Sequence, residues 1–256
     1  MDQVDQRLPV QVKIHLDFTG LRGAAFFAGF PCPDVLWKCM KLDLHTMAVF
    51  SVVEFSGVAA GALAGALEAR RNRTYHYDLI GVLGLAVITA LGGGITRDTL
   101  IQKGPPLAFM DVRYMLVALA TGCFALLFGS RAGKWVDRFI WFADAASLGL
   151  FSVAGVSRAL NAGLPVLPAL MLGLITAVGG GCLRDVLMGR TPKVFERGEP
   201  YAIAALLSVL VFLGGENLGW DRSISTAAGT LSCLLLKVLS HRYQWTTPTV
   251  RFHYEP

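Results

Sequence analysis

The chain contains the run Leu91-Gly92-Gly93-Gly94-Ile95-Thr96-Arg97-Asp98, and 87 residues further on it reads Val178-Gly179-Gly180-Gly181-Cys182-Leu183-Arg184-Asp185. The likeness extends in both directions. Ile88-Thr89-Ala90 returns as Ile175-Thr176-Ala177, Leu100 as Leu187, Pro105 as Pro192 and Tyr114 as Tyr201. Between Gly84–Tyr114 and Met171–Tyr201, 12 of 31 positions are identical, where ordinary composition gives about two by chance. The chain is an internal repeat.

Both copies are embedded in apolar sequence. Of 256 residues, 54% are hydrophobic and 16% charged, with mean hydropathy +0.54. Soluble domains carry about a quarter charged residues. The apolar excess lies in blocks of bilayer-spanning length. They are Met47–Leu67, Leu79–Thr96, Tyr114–Ser130, Phe139–Ser157, a segment within Ala159–Leu183 entered through Pro165 and Pro168, Tyr201–Gly215, and Ser223–Ser240. A secreted disulfide scaffold, a disordered regulator and an ordinary cytosolic enzyme are excluded. The net charge of +5 does not point to nucleic acid, because the basic residues flank apolar blocks instead of forming a stripe with aromatics. With seven spans, 13 of the 23 Lys and Arg fall on one side. That side is predicted to be cytoplasmic, with the N-terminus outside and the C-terminus inside an inner or plasma membrane. Cys123, Cys182 and Cys233 lie in apolar runs, where they read as small buried hydrophobes. No metal-ligand spacing is present, and no cofactor is expected.

The predicted fold is an all-α integral membrane protein of seven transmembrane helices. Residues 47–130 form a first three-helix repeat, 139–215 a second, 223–240 the seventh helix and 241–256 a cytoplasmic tail. An odd number of crossings per repeat turns the second upside down relative to the first. Inverted repeats about an axis in the membrane plane belong to proteins that move small solutes or ions. Residues 1–46 are mixed in composition. They read as an extension, either a disordered arm or sequence ahead of a true start at Met40 or Met47.

Three consecutive glycines loosen a helix, permit a break, and turn backbone groups toward a cavity. Gly92, Gly93 and Gly94, and Gly179, Gly180 and Gly181, are therefore candidate kinks framing a polar pathway. Arg97, Asp98, Arg184 and Asp185 would form a charged cluster at either mouth. The plainer reading is close helix packing plus an interfacial ion pair. Glu54 and Asp144, each in the first span of a repeat, are costly in hydrocarbon and must face a cavity or a cation. They would attract cations in the pathway or pair with Arg97, Arg184 or Arg158. Gly57, Gly61 and Gly65 form a helix-packing ridge, within the subunit or between subunits. Arg190, Lys193 and Arg197 are either a positive-inside signal or a contact for anionic lipid head groups. Thr89, Thr96 and Thr176 are candidate pathway hydroxyls.

The doubled Gly-Gly-Gly-x-x-Arg-Asp motif stands beside a first helix reading Glu54-Phe-Ser-Gly-Val-Ala-Ala-Gly. The matching second half begins Ala143-Asp144-Ala145-Ala146-Ser147-Leu148-Gly149, and the ending Arg242-Tyr243-Gln244-Trp245 precedes a Thr-Thr-Pro. Together these resemble the prokaryotic relatives of the trimeric intracellular cation (TRIC) channels, a group also labelled a glycine transporter domain family. The resemblance implies a symmetric homotrimer in a lipid bilayer, with one pore per subunit permeable to K+ or Na+. It also implies glycine-kinked second and fifth helices at the pore. Residues 1–46 lie outside it.

Two functions remain open on the residues. One is a passive K+-permeable channel whose path passes the doubled motif. The other is a secondary transporter of glycine or another small amino acid, with helix-end amides on the carboxylate and Glu54 or Asp144 on the ammonium. A membrane enzyme would need a nucleophile, base or metal set, and Cys123, Cys182, Glu54 and Asp144 form none.

Overall fold

The computed structural model describes residues 33–72, 74–128 and 134–246, with backbone alone for 33–50, 128 and 134–135. The chain divides into two units, Met1–Leu42 and Asp43–Pro256. In the first, the helical backbone from Pro33 onward is described, and residues 1–32 of the expected extension lie outside the described residues. Among the described residues, the helical stretches of membrane-spanning character lie in the second unit.

The helices are α1 (Pro33–Arg71), α2 (Leu79–Ile101), α3 (Leu107–Met110), α4 (Val112–Phe128), α5 (Lys134–Asn161), α6 (Val166–Leu187), α7 (Tyr201–Asn217) and α8 (Arg222–Tyr243). Among the described residues, five stretches are long and apolar enough to cross a membrane: Ser51–Arg71, Leu79–Ile101, Val136–Asn161, Val166–Leu187 and Arg222–Tyr243. At 1.5 Å per residue they reach about 30 Å or more, the thickness of bilayer hydrocarbon. Val112–Leu127 and Tyr201–Asn217 are shorter apolar helices. The chain is an all-helical, multi-pass membrane protein. Large apolar side chains such as Ile80, Leu116, Leu127, Leu167 and Leu235 lie exposed along its helices, as lipid-facing positions require.

Local signals set the helix ends. Asp78 caps α2, its side chain accepting from Gly81 N at 2.7 Å, and Asp221 caps α8 by accepting from Ser223 N at 3.0 Å. Pro165 and Pro200 immediately precede α6 and α7, where a missing N–H costs nothing. α2 ends at Gln102 in the left-handed conformation, with φ 55°. Arg70 ties α1 to α4 by donating to the last-turn carbonyls of Ala125 and Leu126 at 2.8 and 2.7 Å.

The segment expected within Ala159–Leu183 and entered through Pro165 forms α6, which starts at Val166 after the turn at Gly163, with φ 81°. One expectation is corrected: the glycine triplets do not break their helices. α2 and α6 run unbroken through Gly92–Gly94 and Gly179–Gly181, because a freed backbone group in hydrocarbon costs several kcal/mol.

The glycines are used for approach instead. α2 packs across α6. A Cβ on Gly93 would lie 2.2 Å from the Thr176 carbonyl oxygen, and one on Gly180 would lie 2.1 Å from that of Thr89. Only hydrogen fits there. Going forward from Thr89 to Gly93 along α2 means going back from Gly180 to Thr176 along α6. The two helices therefore cross antiparallel, and Arg97 and Arg184 leave the crossing in opposite directions.

Around that crossing, one apolar cluster joins α1, α2 and α4 through Val58, Leu67, Leu85, Leu91 and Ala118. Two others join α5, α6, α7 and α8 through Val153, Val156, Leu172, Phe212, Leu148 and Cys233. The expected ridge on α1 packs within the chain. A Cβ on Gly57 would meet the Phe151 ring at 2.9 Å, and one on Gly61 the Ala90 Cα at 3.1 Å. A Cβ on Gly65 would lie 2.5 Å from Thr89 Oγ1, and one on Gly155 of α5 would lie 2.7 Å from Thr176 Oγ1.

Candidate functional site: two charged clusters on either side of a helix crossing

The Arg-Asp pairs build two clusters with the same internal wiring. In the first, Arg97 Nε donates to Asp98 Oδ1 at 2.8 Å and Arg97 Nη1 stands 3.9 Å from Glu54 Oε1. In the second, Arg184 Nε donates to Asp185 Oδ1 at 2.9 Å and Nη1 to Asp144 Oδ1 at 3.2 Å. The other oxygen of each aspartate holds a loop. Leu107 N donates to Asp98 Oδ2 at 3.0 Å and Lys193 N to Asp185 Oδ2 at 3.3 Å. The ion-pair reading of Glu54 and Asp144 is the one these distances describe. Thr89 and Thr176 turn their hydroxyls back to Leu85 O and Leu172 O, each at 2.6 Å, as Thr96 does to Gly92 O at 2.8 Å.

The clusters differ in what surrounds them. Tyr114 of α4 donates its hydroxyl to Glu54 Oε2, and Arg158 at the end of α5 brings Nη1 to 3.7 Å from Glu54 Oε1. A cavity of about 30 Å³ lies here, lined by Glu54, Gly94, Arg97, Asp98, Tyr114 and Thr176. It is sized for about one water molecule. Asp98 and Leu107 also line a larger cavity of about 250 Å³, with Lys103, Arg158 and Asn161.

Arg184 is fully buried between two carboxylates. Glu68 of α1 enters this cluster through Arg190, whose Nη1 donates to Glu68 Oε1 at 2.8 Å and whose Nη2 lies 3.7 Å from Asp185 Oδ1. Lys193 Nζ lies 3.8 Å from Asp144 Oδ2. Arg190 and Lys193, candidate lipid contacts by sequence, thus hold protein carboxylates, while Arg197 is exposed on the same loop. A cavity of about 680 Å³ adjoins, lined by Glu68, Arg71, Asp137, Trp141, Lys193 and His241 among others.

Glu68 and Glu199 do not stand out in the sequence, and Tyr114 and Lys237, visible there as a repeat match and as a charge in the last span, gain partners that no spacing reveals. Glu199, in the loop before α7, accepts from Trp141 Nε1 at 3.0 Å, pairs with Lys237 Nζ at 2.9 Å and faces His241 Nδ1 at 2.9 Å. Burial alone would raise its pKa. The Lys237 charge and the hydrogen bonds from Lys237, Trp141 and His241 outweigh that and hold the carboxyl below its ordinary 4.5. A carboxyl depressed by folding adds stability above its unfolded value and loses it as the pH falls through the folded one. Glu199→Gln protein should therefore show a flatter acid limb below pH 4.5 than the wild type, read as melting temperature against pH. An acid limb of unchanged slope would count against this role.

Buried arginine-carboxylate clusters at the two ends of a close antiparallel crossing, in an all-helical multi-pass protein, define a membrane protein with a polar interior, the class to which transporters and channels belong. Comparison with known proteins narrows the class. A family model described as "Glycine transporter" matches residues 51–130 and 141–216, and the chain belongs to this family. A UPF0126 membrane protein of Deinococcus radiodurans is 36% identical over 201 residues, 78% of this chain and 90% of that protein. The UPF0126 inner membrane protein YadS of Escherichia coli K12 is 33% identical over 202 residues, 77% of this chain and 94% of that one. The crystal structure of a TRIC trimeric intracellular cation channel orthologue from Rhodobacter sphaeroides superposes with TM-score 0.70 at 31% identity, covering 76% of this chain and 98% of that one.

Proposed function

We propose that this protein is a cation channel conducting K+, with seven transmembrane helices in two inverted three-helix units plus α8, and with a pathway inside each subunit. The observation that carries this reading is the pair of matched charged clusters separated by the reciprocal α2–α6 crossing, in which Gly93 meets Thr176 and Gly180 meets Thr89. Reciprocity of that kind is what a twofold relation between the units produces. The path runs from the vestibule of about 250 Å³ past Glu54, Arg97 and Asp98 to the crossing. Beyond it lie Asp144, Arg184 and Asp185 and the cavity of about 680 Å³. In the basic-loop orientation the Glu54 cluster faces outside and the Asp144 cluster the cytoplasm. A homotrimer follows the trimeric channel whose structure this chain resembles.

The conformation described is the shut one, since the arginines occupy the carboxylates a cation would use. A glycine carrier, the activity in the family's description, needs a chamber for a zwitterion. The space beside Glu54 and Arg97, at about 30 Å³, suits a partly dehydrated ion better.

The test is purified protein in K+-loaded liposomes, followed down a gradient with and without external glycine. K+ efflux should persist without glycine. It should rise in Arg158→Ala protein, because that guanidinium, 3.7 Å from Glu54, stands as a positive charge in the vestibule. Glycine exchange with no K+ leak would overturn the channel reading.

A further inference from the structure

Lys237 is an ionisable residue well inside α8, 3% exposed, on the helix that has no counterpart in either repeat. Its ammonium sits in a cage supplied by other elements. Glu199 Oε2 lies 2.9 Å away, the Tyr201 ring centroid 4.7 Å and the Trp141 ring centroid 5.6 Å. Asp144 interacts with it electrostatically as well.

The cage does not depend on the lysine to hold its shape. Trp141 Nε1 bridges both Glu199 oxygens at 3.0 Å, and His241 Nδ1 meets Oε1 at 2.9 Å. The Trp141 and His241 rings lie 5.0 Å apart. A carboxylate fixed by other donors, beside two aromatic faces, is recognition chemistry for a compact organic monovalent cation. Trp141 and His241 also line the cavity of about 680 Å³, so a small solute in that cavity reaches the cage wall directly.

We propose that Glu199, Tyr201 and Trp141 form a binding site for a monovalent ammonium-type cation, and that Lys237 is its built-in occupant. Resting on the channel reading, the inference makes Lys237 a tethered plug at the inner mouth: the protein's own cation holds the place a passing one would take. Two facts separate this from an ordinary buried ion pair. Glu199 keeps other partners without the lysine, and the ammonium lies over two ring faces as well as against a carboxylate. Shortening the side chain leaves a formed, vacant cation site.

The experiment uses full-length Lys237→Ala protein, its melting temperature measured in detergent with ethylammonium chloride or with NaCl at equal ionic strength. Ethylammonium at ten times its dissociation constant should raise the variant's melting temperature by about 3 °C over NaCl. Wild type, Lys237→Arg and the double variant Lys237→Ala/Glu199→Gln should not respond. Lys237→Gln, which keeps most of the stem's packing, serves the same measurement if the alanine variant does not accumulate. Equal shifts in all proteins, or none in the alanine and glutamine variants, would overturn the site. In liposomes, K+ efflux through Lys237→Ala protein should be several-fold faster than wild type and slowed by ethylammonium on the cytoplasmic side. Thermal recovery without any K+ flux would leave the site standing and remove the channel reading. Flux without any response to the amine would do the reverse.

Discussion

Gly93→Ala and Gly180→Ala proteins should melt far below the wild type, while Gly94→Ala and Gly181→Ala should melt close to it. The added methyl at 93 or 180 falls 2.2 or 2.1 Å from a backbone carbonyl oxygen of the partner helix. A side chain can turn away from such a clash, but a helical carbonyl cannot, so α2 and α6 must part by roughly an ångström along a packed seam. Overpacking of this kind costs about 1–3 kcal/mol, and more where the backbone must move. A Cβ on Gly94 meets only Arg97 Nη2 at 3.9 Å, and one on Gly181 meets Tyr201 OH at 3.6 Å. At those two positions alanine's better helix propensity gains about 0.5–1 kcal/mol. The reciprocal geometry adds a sharper expectation. Once the helices have separated for one methyl, the second fits at little extra cost, so the Gly93→Ala/Gly180→Ala protein should lose less than the two single losses combined. Thermal unfolding of the five variants and the wild type decides it. A Gly93→Ala variant as stable as Gly94→Ala would mean that the crossing is not this close.

Arg184→Met should be the most damaging of the charge-removing substitutions. It strands Asp144 and Asp185, with side chains 5% and 3% exposed. Removing one member of a buried ion cluster costs about 3–5 kcal/mol, because the remaining charges stay buried without their partner. Lys193 and Arg190, at 3.8 and 3.7 Å, offset only part of this. Arg184→Lys should rescue little, since one ammonium cannot replace a fork that reaches Asp185 through Nε and Asp144 through Nη1. Adding Asp144→Asn and Asp185→Asn to Arg184→Met should restore folded protein, as neutral amides tolerate the site. Arg97→Met should be milder, because Glu54 keeps Tyr114 and Arg158. Yields of monodisperse protein and melting temperatures order the variants. An Arg97 variant worse than the Arg184 variant would contradict the distances.

The doubled motif is readable because both copies keep their residues in register, and apolar blocks mark helices directly when lipid is the solvent. The glycines mislead in one respect. Local flexibility suggests a break, but the bilayer's penalty on free backbone groups keeps the helix whole and leaves glycine to serve packing. Gly93 and Gly180 can be told from Gly94 and Gly181 only once the partner helix is in place. Glu54 and Asp144 stand out because a carboxylate inside an apolar run has few explanations. Glu68 and Glu199 stand near helix ends among Arg and Lys, where the same residue type reads as an interfacial charge. Lys237 interrupts the last span in plain view, but its partner lies 38 residues away in a loop, and no spacing connects them. Tyr114 and Tyr201 recur in the repeat, a signal that could have placed a hydroxyl or an aromatic ring in each cluster.

The offset of 90 residues that carries Glu54 to Asp144 and Gly65 to Gly155 also carries Glu68 to Arg158. Each of the latter two serves the opposite half. Arg158 of the second repeat reaches Glu54 of the first, and Glu68 of the first meets Arg190 of the second. At equivalent positions the charge is reversed. Two copies of the first repeat would crowd Glu68 against Glu54 and Asp98, and two copies of the second would add Arg158 to Arg184, Arg190 and Lys193. A pair of identical halves satisfies neither arrangement. Because the halves are matched by opposite charge, fragments cut between residues 130 and 139 should associate with each other in preference to their own copies, as co-expression and co-purification of the two would show.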